Sequence, residues 1–401
     1  MPPFKTKGGI LQFLSHDKFG MTRTFIFLLF SSMLGCKGPK EARVLHQANT
    51  LTIPVNPSLE KEMKLSEFYK RIEVLKLQTT DKCRIDEVTK LLITSDYYIV
   101  GTTTNIFLFN KKGKFIRNCI DPDHLSFMTD FLIDTTTFTI EVYIAKSRQI
   151  VQFDSLGQEL NRWKTNLDAY SFYRVDDGLY AIYSGNAYYN HSKFKLNFFS
   201  TDSEDLISRA FPMNKHEATF MHFGDWANFY SLDDKLCLTF SLSDTIYSIT
   251  KDFVQPAIII DFGSFALPNE IKRQDFHDVR EFVEYCRRTD YAFRLLTFIE
   301  SEANIVFGFE YKSHVVHGYY KKASKELHIV NSLYDDLDLE GTHSQTSFAN
   351  LPRFTFKGAY YSFMDAHEMI SKLDSSNASH KLLLKTIRLN DNPFIVIGSV
   401  E

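Results

Sequence analysis

Residues whose types and spacing suit chemistry occur at a few places in this chain of 401 residues. His216-Glu217 and His222-Phe223-Gly224-Asp225-Trp226 bring two imidazoles, two carboxylates and one indole close together in sequence. Imidazole and carboxylate suit a metal ion and an indole face suits a sugar ring, so the segment is a candidate ligand site. The competing reading has Trp226, Phe220 and Phe223 packing a loop while the histidines face water. Asp336-Leu337-Asp338-Leu339-Glu340-Gly341 places oxygen ligands at alternate positions before a glycine, as short calcium loops do. Ser347 stands where such loops carry their bidentate glutamate, which favours a solvated acidic turn. Asp336, Asp338 and Glu340 are therefore the metal candidates, calcium is the one cofactor to test, and none is otherwise expected.

Other groups point away from catalysis. His314 and His317 differ by three on a strand-like stretch, so they face opposite sides and cannot chelate together. Arg287 and Arg288 suit the solvated face of a helix or the grip on an acidic ligand. No Gly-x-Ser-x-Gly, His-Glu-x-x-His or Walker glycine loop is present, and no catalytic residue is assigned. Cys83, Cys119, Cys237 and Cys286 are widely spaced with no Cys-x-x-Cys pair, which argues against zinc; isolated buried thiols fit a core of this size. An oxidising envelope leaves three pairings of the four open.

Such groups need a scaffold, and composition limits which one. Lys plus Arg is 46 against 49 Asp plus Glu, a balance of −3 that excludes a nucleic-acid binder working through phosphate contacts. With 44% hydrophobic residues the chain is not disordered, and 37 Phe with 20 Tyr suits half-buried strands.

The amino terminus reads as an address. Thr22-Arg23-Thr24 precedes the apolar run Phe25 to Leu34, too short to span a bilayer and suited to a secretory signal. Residues 1–35 are read as that signal, with Met21 as the alternative start. Met33-Leu34-Gly35-Cys36 resembles a bacterial lipobox, which implies a lipid on Cys36; Met33 and Leu34 depart from its usual residues. Losing residues 1–35 shifts the balance to −6, so attachment to a membrane has to come from the lipid and not from charge. Residues 36–60, with Pro39, Pro54 and Pro57, read as a flexible tether ahead of a domain at 61–401.

Repeats organise that domain. Ile106 to Phe115 is an apolar strand, a polar turn with glycine and a returning strand, and Ile150 to Leu160 repeats it 44 residues on, from Phe109 to Phe153. Weaker copies follow at Phe199, Ile249 and Tyr320, spaced by 46, 50 and 71 residues. Residues 269–298 account for the long last interval: Phe276, Val279, Val283 and Cys286 recur at helical spacing, predicting an amphipathic helix. Strand, turn, strand, polar hairpin and strand every 44 to 50 residues is propeller-blade spacing. Five copies plus a degenerate set around Phe354, Phe356, Tyr360 and Tyr361 predict an all-β fold, a six-bladed β-propeller with a short helical insert between blades four and five, the degenerate last copy leaving five or seven blades as alternatives. Closing the ring predicts that Ile72 to Leu77 and Phe394 to Ile397 lie in the same or adjacent blades, and the recurring Phe109, Phe153, Phe199 and Tyr320 predict aromatic packing between blades.

The cysteine-terminated signal, Glu73-Val74-Leu75-Lys76-Leu77, the hairpin at 109–115, Ser243-Asp244-Thr245-Ile246-Tyr247 and the ending Asp391 to Ile397 together resemble the six-bladed β-propeller lipoproteins of Bacteroidetes. The resemblance covers residues 21–401 and supplies no catalytic residue. It implies a protein of the cell envelope, lipid-anchored and facing the periplasm or the cell surface. The function expected is non-enzymatic: binding of a carbohydrate, a peptide or an envelope protein through loops at the channel mouth, by a monomer that touches membrane only through its anchor. The alternative is a carbohydrate-active hydrolase or lyase, lactonase-like, with a metal-assisted site at the channel. Three or more carboxylates and histidines converging in the channel would mark the enzyme.

Overall fold

The computed structural model describes residues 39–45 and 50–400 apart from 122, 124, 126, 187–189, 215, 217–227, 234, 337–343, 347–351, 374 and 376–377. Short runs of β-branched and aromatic residues, parted by turn residues, pair into six antiparallel sheets. The fold is a six-bladed β-propeller, as the repeat spacing predicts. Blade one comprises Lys90–Ile93, Tyr97–Gly101, Ile106–Asn110 and Phe115–Asn118, and blade two Met128–Asp134, Thr139–Ile144, Gln149–Phe153 and Glu159–Lys164. Blade three follows with Ser171–Asp176, Leu179–Tyr183, Phe194–Ser200 and Asp205–Pro212, and blade four with Phe229–Leu232, Lys235–Leu238, Thr245–Ile249 and Phe253–Asp261. Blade five holds Ala292–Glu300, Asn304–Tyr311, His314–Lys321 and Glu326–Asp335.

Blade six joins the two ends of the chain. Phe354–Phe356, Ala359–Met364 and Phe394–Ser399 are completed by Arg71–Lys76, paired antiparallel from Phe394 with Lys76 to Ser399 with Arg71. The ring therefore closes where the sequence predicts, and its seam carries paired backbone instead of an open edge.

The two clearest repeats share one hairpin chemistry. Asn110 Oδ1 accepts from the amides of Lys112 and Lys114 at 3.0 Å, and Asp154 Oδ1 accepts from those of Leu156 and Gln158 at 2.8 Å. Gly113 and Gly157 both take left-handed φ, +73° and +82°. A Cβ would sit 2.2 Å from Lys76 O at the first and 2.7 Å from Cys119 O at the second. Each hairpin thus rests on backbone belonging to the blade before it.

The aromatic surplus lies between blades. Phe109 packs with Tyr361 and Ile395 of blade six, Phe153 with Ile99 and Ile106 of blade one, and Phe199 with Tyr143 and Ile150 of blade two. Tyr320 meets Ile246 and Ile258 of blade four. All four rings are buried, so the expectation of inter-blade packing holds.

Two boundaries need correction. The compact unit begins at Pro39, and the stretch 36–60 is not a free tether where the structure describes it. Lys40–Glu41 pairs parallel with Ser208 and Arg209 on blade three, Arg43–Val44 and Leu51–Pro54 with the outer strand of blade four, and Lys61–Lys64 with that of blade five. An outer strand presents a row of unpaired amides and carbonyls, and this strap satisfies them on three successive blades. Ile53, with exposed Thr52 and Pro54 on either side, is buried among blades four and five, and Met63 and Leu65 between blades five and six. Strands of two to four residues are too short to show a period, which is why the sequence reads as a linker.

The insert between blades four and five is also shorter than 269–298, because Ala292–Glu300 is the innermost strand of blade five. The predicted helix is there, Val279–Arg287, with Asp278 capping the amides of Arg280 and Glu281. Its buried face centres on Phe282 and Cys286, with Phe276, Val279 and Val283 half-buried around them. Two further helices, Ala366–Lys372 and Ala378–Leu384, interrupt blade six and were not anticipated.

Candidate functional site

One segment from the first strand of every blade lines a central cavity of about 500 Å³: Lys90–Leu92, Leu132–Asp134, Tyr173–Arg174, Phe229–Ser231, Phe298–Glu300 and, bracketing the start of the blade-six strand, Arg353–Thr355. Glu141, from the second strand of blade two, joins them. A smaller cavity of about 300 Å³ lies at the entry ends of the inner strands, lined by Glu87, Thr89, Asn228, Ser241 and Arg294 among others. Phe298, Ile299, Arg353 and Phe354 border both cavities, so the two form successive chambers of one channel. Their size is that of small-molecule sites in general.

Most charged groups of the larger chamber's wall are spent on joining blades. Lys90 Nζ reaches Asp130 Oδ1 at 2.7 Å and Phe131 O at 2.8 Å, while Asp130 Oδ2 accepts the amide of Phe172 at 3.1 Å, which links blades one, two and three. Glu141 is almost fully buried, and its Oε1 accepts from Arg174 and, at 2.8 Å, from the Tyr180 hydroxyl. Its other oxygen is buried with no partner among the described residues. Arg174 also lies 3.9 Å from Asp134. On the far wall Glu300 accepts from Lys322 Nζ at 2.7 Å and from the Tyr230 hydroxyl at 2.8 Å, linking blades five and four.

These pairings move the titrations in consistent directions. Burial works to lower the Arg174 pKa, but the hydrogen bond and charge of Glu141 outweigh it and hold the guanidinium protonated. Burial, reinforced by Glu141, pushes the Tyr180 hydroxyl well above its usual range, and burial with Cys237 and Glu300 does the same to Tyr230. The amide of Thr136, then that of Thr137 and the charge of Arg174, hold Asp134 below the usual carboxylate range. Both tyrosines stay neutral donors and Asp134 stays charged at physiological pH. Among the described residues no group of three or more histidines, cysteines and carboxylates is arranged to hold a metal ion. Asp134 and Glu141 of blade two share Arg174, and Glu300 sits on another wall with Lys322 and Tyr230.

The family model described as "Domain of unknown function (DUF4934)" matches residues 50–399. This chain belongs to the DUF4934 family. The sequence matches no curated protein. Among solved structures, a protein of Bacteroides fragilis described as exported aligns with a TM-score of 0.69 at 13% identity, covering 87% of this chain and 99% of that one. A member of the DUF4221 family from Bacteroides vulgatus aligns at TM-score 0.49 and 8% identity, covering 83% and 97%. Virginiamycin B lyase from Staphylococcus aureus aligns at TM-score 0.35 and 10% identity, covering 65% and 73%. The first of these shares the fold; at such identities none carries a role to particular residues of the DUF4934 chain.

Of the candidate lipid, ligand and metal residues read from the sequence, two lie in the described part of this DUF4934 protein. His216 is mostly buried, with Nδ1 2.5 Å from Asp275 Oδ1 in the insert ahead of the helix. Asp336 binds the strap: the amide of Ser66 donates to Oδ1 at 2.9 Å and its hydroxyl to Oδ2 at 2.6 Å. Both carboxylate oxygens are therefore engaged by protein. Cys36, Glu217, His222, Asp225, Trp226, Asp338 and Glu340 lie outside the described residues. His314 and His317 do separate as expected: His314 Nε2 is 2.7 Å from Glu60 of the strap, and His317 is buried in blade five, where burial pulls its pKa down to about 3. All four described cysteines are buried and unbridged, and burial pushes Cys83 up to about 11 and Cys119 and Cys286 to about 12.

Sequence reasoning missed the channel residues of the DUF4934 chain because it followed the third strand of each repeat. A signal was present in the first strands: Asp130, Asp134, Arg174 and Glu300 are charged residues inside otherwise apolar runs. A charge placed where a strand should be buried on both faces needs a partner across a blade boundary or a ligand.

Proposed function

We propose that this protein is a non-catalytic, exported propeller of the cell envelope that binds a small ligand in its central channel. The observation that supports the reading is the wall itself: all six blades contribute to one chambered cavity, and the carboxylates of its larger chamber are held by Arg174, or by Lys322 and Tyr230, instead of meeting at a point. Asp134 and Glu141 are held by Arg174, and Glu300 by Lys322 and Tyr230, so no carboxylate is poised as a general base beside a second acid. A lipid on Cys36 would hold the propeller at a membrane, in agreement with the absence, among the described residues, of any helix long and apolar enough to cross one.

The test is metal analysis of the purified mature protein together with thermal-shift screening against sugars, short peptides, organic acids and divalent ions. A ligand that raises the melting temperature without being consumed, on protein free of stoichiometric metal, is the expected result. Stoichiometric metal with turnover of a glycan or lactone would overturn it in favour of the enzyme. For the anchor, Cys36→Ala is expected to move the protein from the membrane to the soluble fraction.

A further inference from the structure

We propose that the channel ligand is a small monoanion, a carboxylate on an apolar or aromatic body, and that Arg353 is its counter-ion. The inference rests on the channel-binding reading and narrows it to a chemical class. Each other cation on or just behind the channel wall already has a carboxylate: Lys90 has Asp130 at 2.7 Å, Lys322 has Glu300 at 2.7 Å, Arg294 has Glu310 at 4.0 Å, and Arg174 has Glu141. Arg353 has none. It is exposed on the channel, its guanidinium forms no ion pair or hydrogen bond with a described residue, and it borders both chambers where they join. A guanidinium presents a planar fork of donors that matches a carboxylate, so an acidic ligand group is the partner this wall lacks.

The rest of the wall sets the other properties. Glu87, exposed in the smaller chamber and without an ion pair among the described residues, would repel a second negative charge, which disfavours polyanions. Phe298 and Phe354 flank Arg353 in both chambers, with Leu92, Leu132 and Ile133 further along the larger one. Such walls reward an apolar body and leave the hydroxyls of a sugar acid short of partners.

Isothermal titration of the mature protein with 3-phenylpropionate, its neutral amide, benzene-1,3,5-tricarboxylate and cellobiose separates these possibilities. The acid is expected to bind about tenfold tighter than the amide or the tricarboxylate. Arg353→Gln is expected to remove that tenfold preference while leaving amide binding unchanged, and Arg353→Lys to restore part of it. Equal binding of acid and amide, or an equal loss of both in Arg353→Gln, overturns the assignment of Arg353. Tighter tricarboxylate binding overturns the monoanion. Cellobiose binding without carboxylate binding overturns the ligand class and leaves channel binding standing. Silence from all four probes overturns the class, and silence from the wider thermal-shift screen as well overturns the channel reading.

Discussion

At the rim of this propeller polar side chains fasten one stretch of chain to another, whereas at the axis they fasten blade to blade and leave one cation over. The rim pairs are local in purpose: Ser66 on Asp336, Glu60 on His314 and the backbone of Leu51–Pro54 on blade four all hold the strap. The axial pairs run between blades, with Asp130 tying three together and Glu141 and Arg174 joining two. A polar group that completes backbone pairing is explained by the fold, but an exposed Arg353 between two chambers is not. That contrast is why the proposed ligand is placed at the axis, while the rim pairs belong to the architecture.

The comparison can be broken from the rim first. Ile53→Ala should cost about 3 kcal/mol in chemical denaturation, because Ile53 is buried between blades; a loss near zero would return residues 50–60 to a tether. At the axis, Glu141→Gln should cost about 2 kcal/mol by leaving Arg174 and Tyr180 poorly paired, and an unchanged midpoint would mean the blades do not depend on that pair.

A third test uses pH. His317 is held neutral in the folded state, with its pKa near 3 against about 6.5 unfolded, so the unfolded chain takes up a proton first as pH falls. The stability this group contributes is complete above about pH 6.5 and is lost by about 1.4 kcal/mol per pH unit on the way down to about 3. His317→Gln should flatten the curve of stability against pH by one proton, and an unchanged slope would mean the ring is protonated in the fold.

The smallest effects sharpen the contrast most. Asp336→Ala should cost about 1 kcal/mol, with or without calcium, since its carboxylate already serves Ser66. A calcium-dependent rise in the melting temperature that the variant abolishes would make that turn a metal site. Arg353→Gln should change stability by less than about 0.5 kcal/mol, as expected of a side chain with no partner among the described residues. A large loss would make Arg353 part of the architecture.

Much of the fold was legible because it is written in local chemistry. Asn110 and Asp154 cap their hairpins through side-chain oxygens, Gly113 and Gly157 supply left-handed turns, and the strands on either side carry aromatic residues at the same offset, so the repeat shows through. The helix Val279–Arg287 announced itself by apolar spacing. The strap did not, because Lys40–Glu41 and Arg43–Val44 have no pattern of their own and become strands only where an outer edge receives them. The channel did not either, since Asp130 and Glu141, Arg174, Glu300 and Arg353 come from four different blades.

By itself, then, the sequence determined the number of blades, the closure through the two ends and the aromatic seams, since all of these follow from periodicity and turn residues within a few tens of positions. Only the tertiary structure decided which charges are neutralised and which is left exposed to a ligand. Charge pairing depends on distances of a few ångströms between residues from separate blades, and no period in the sequence records them.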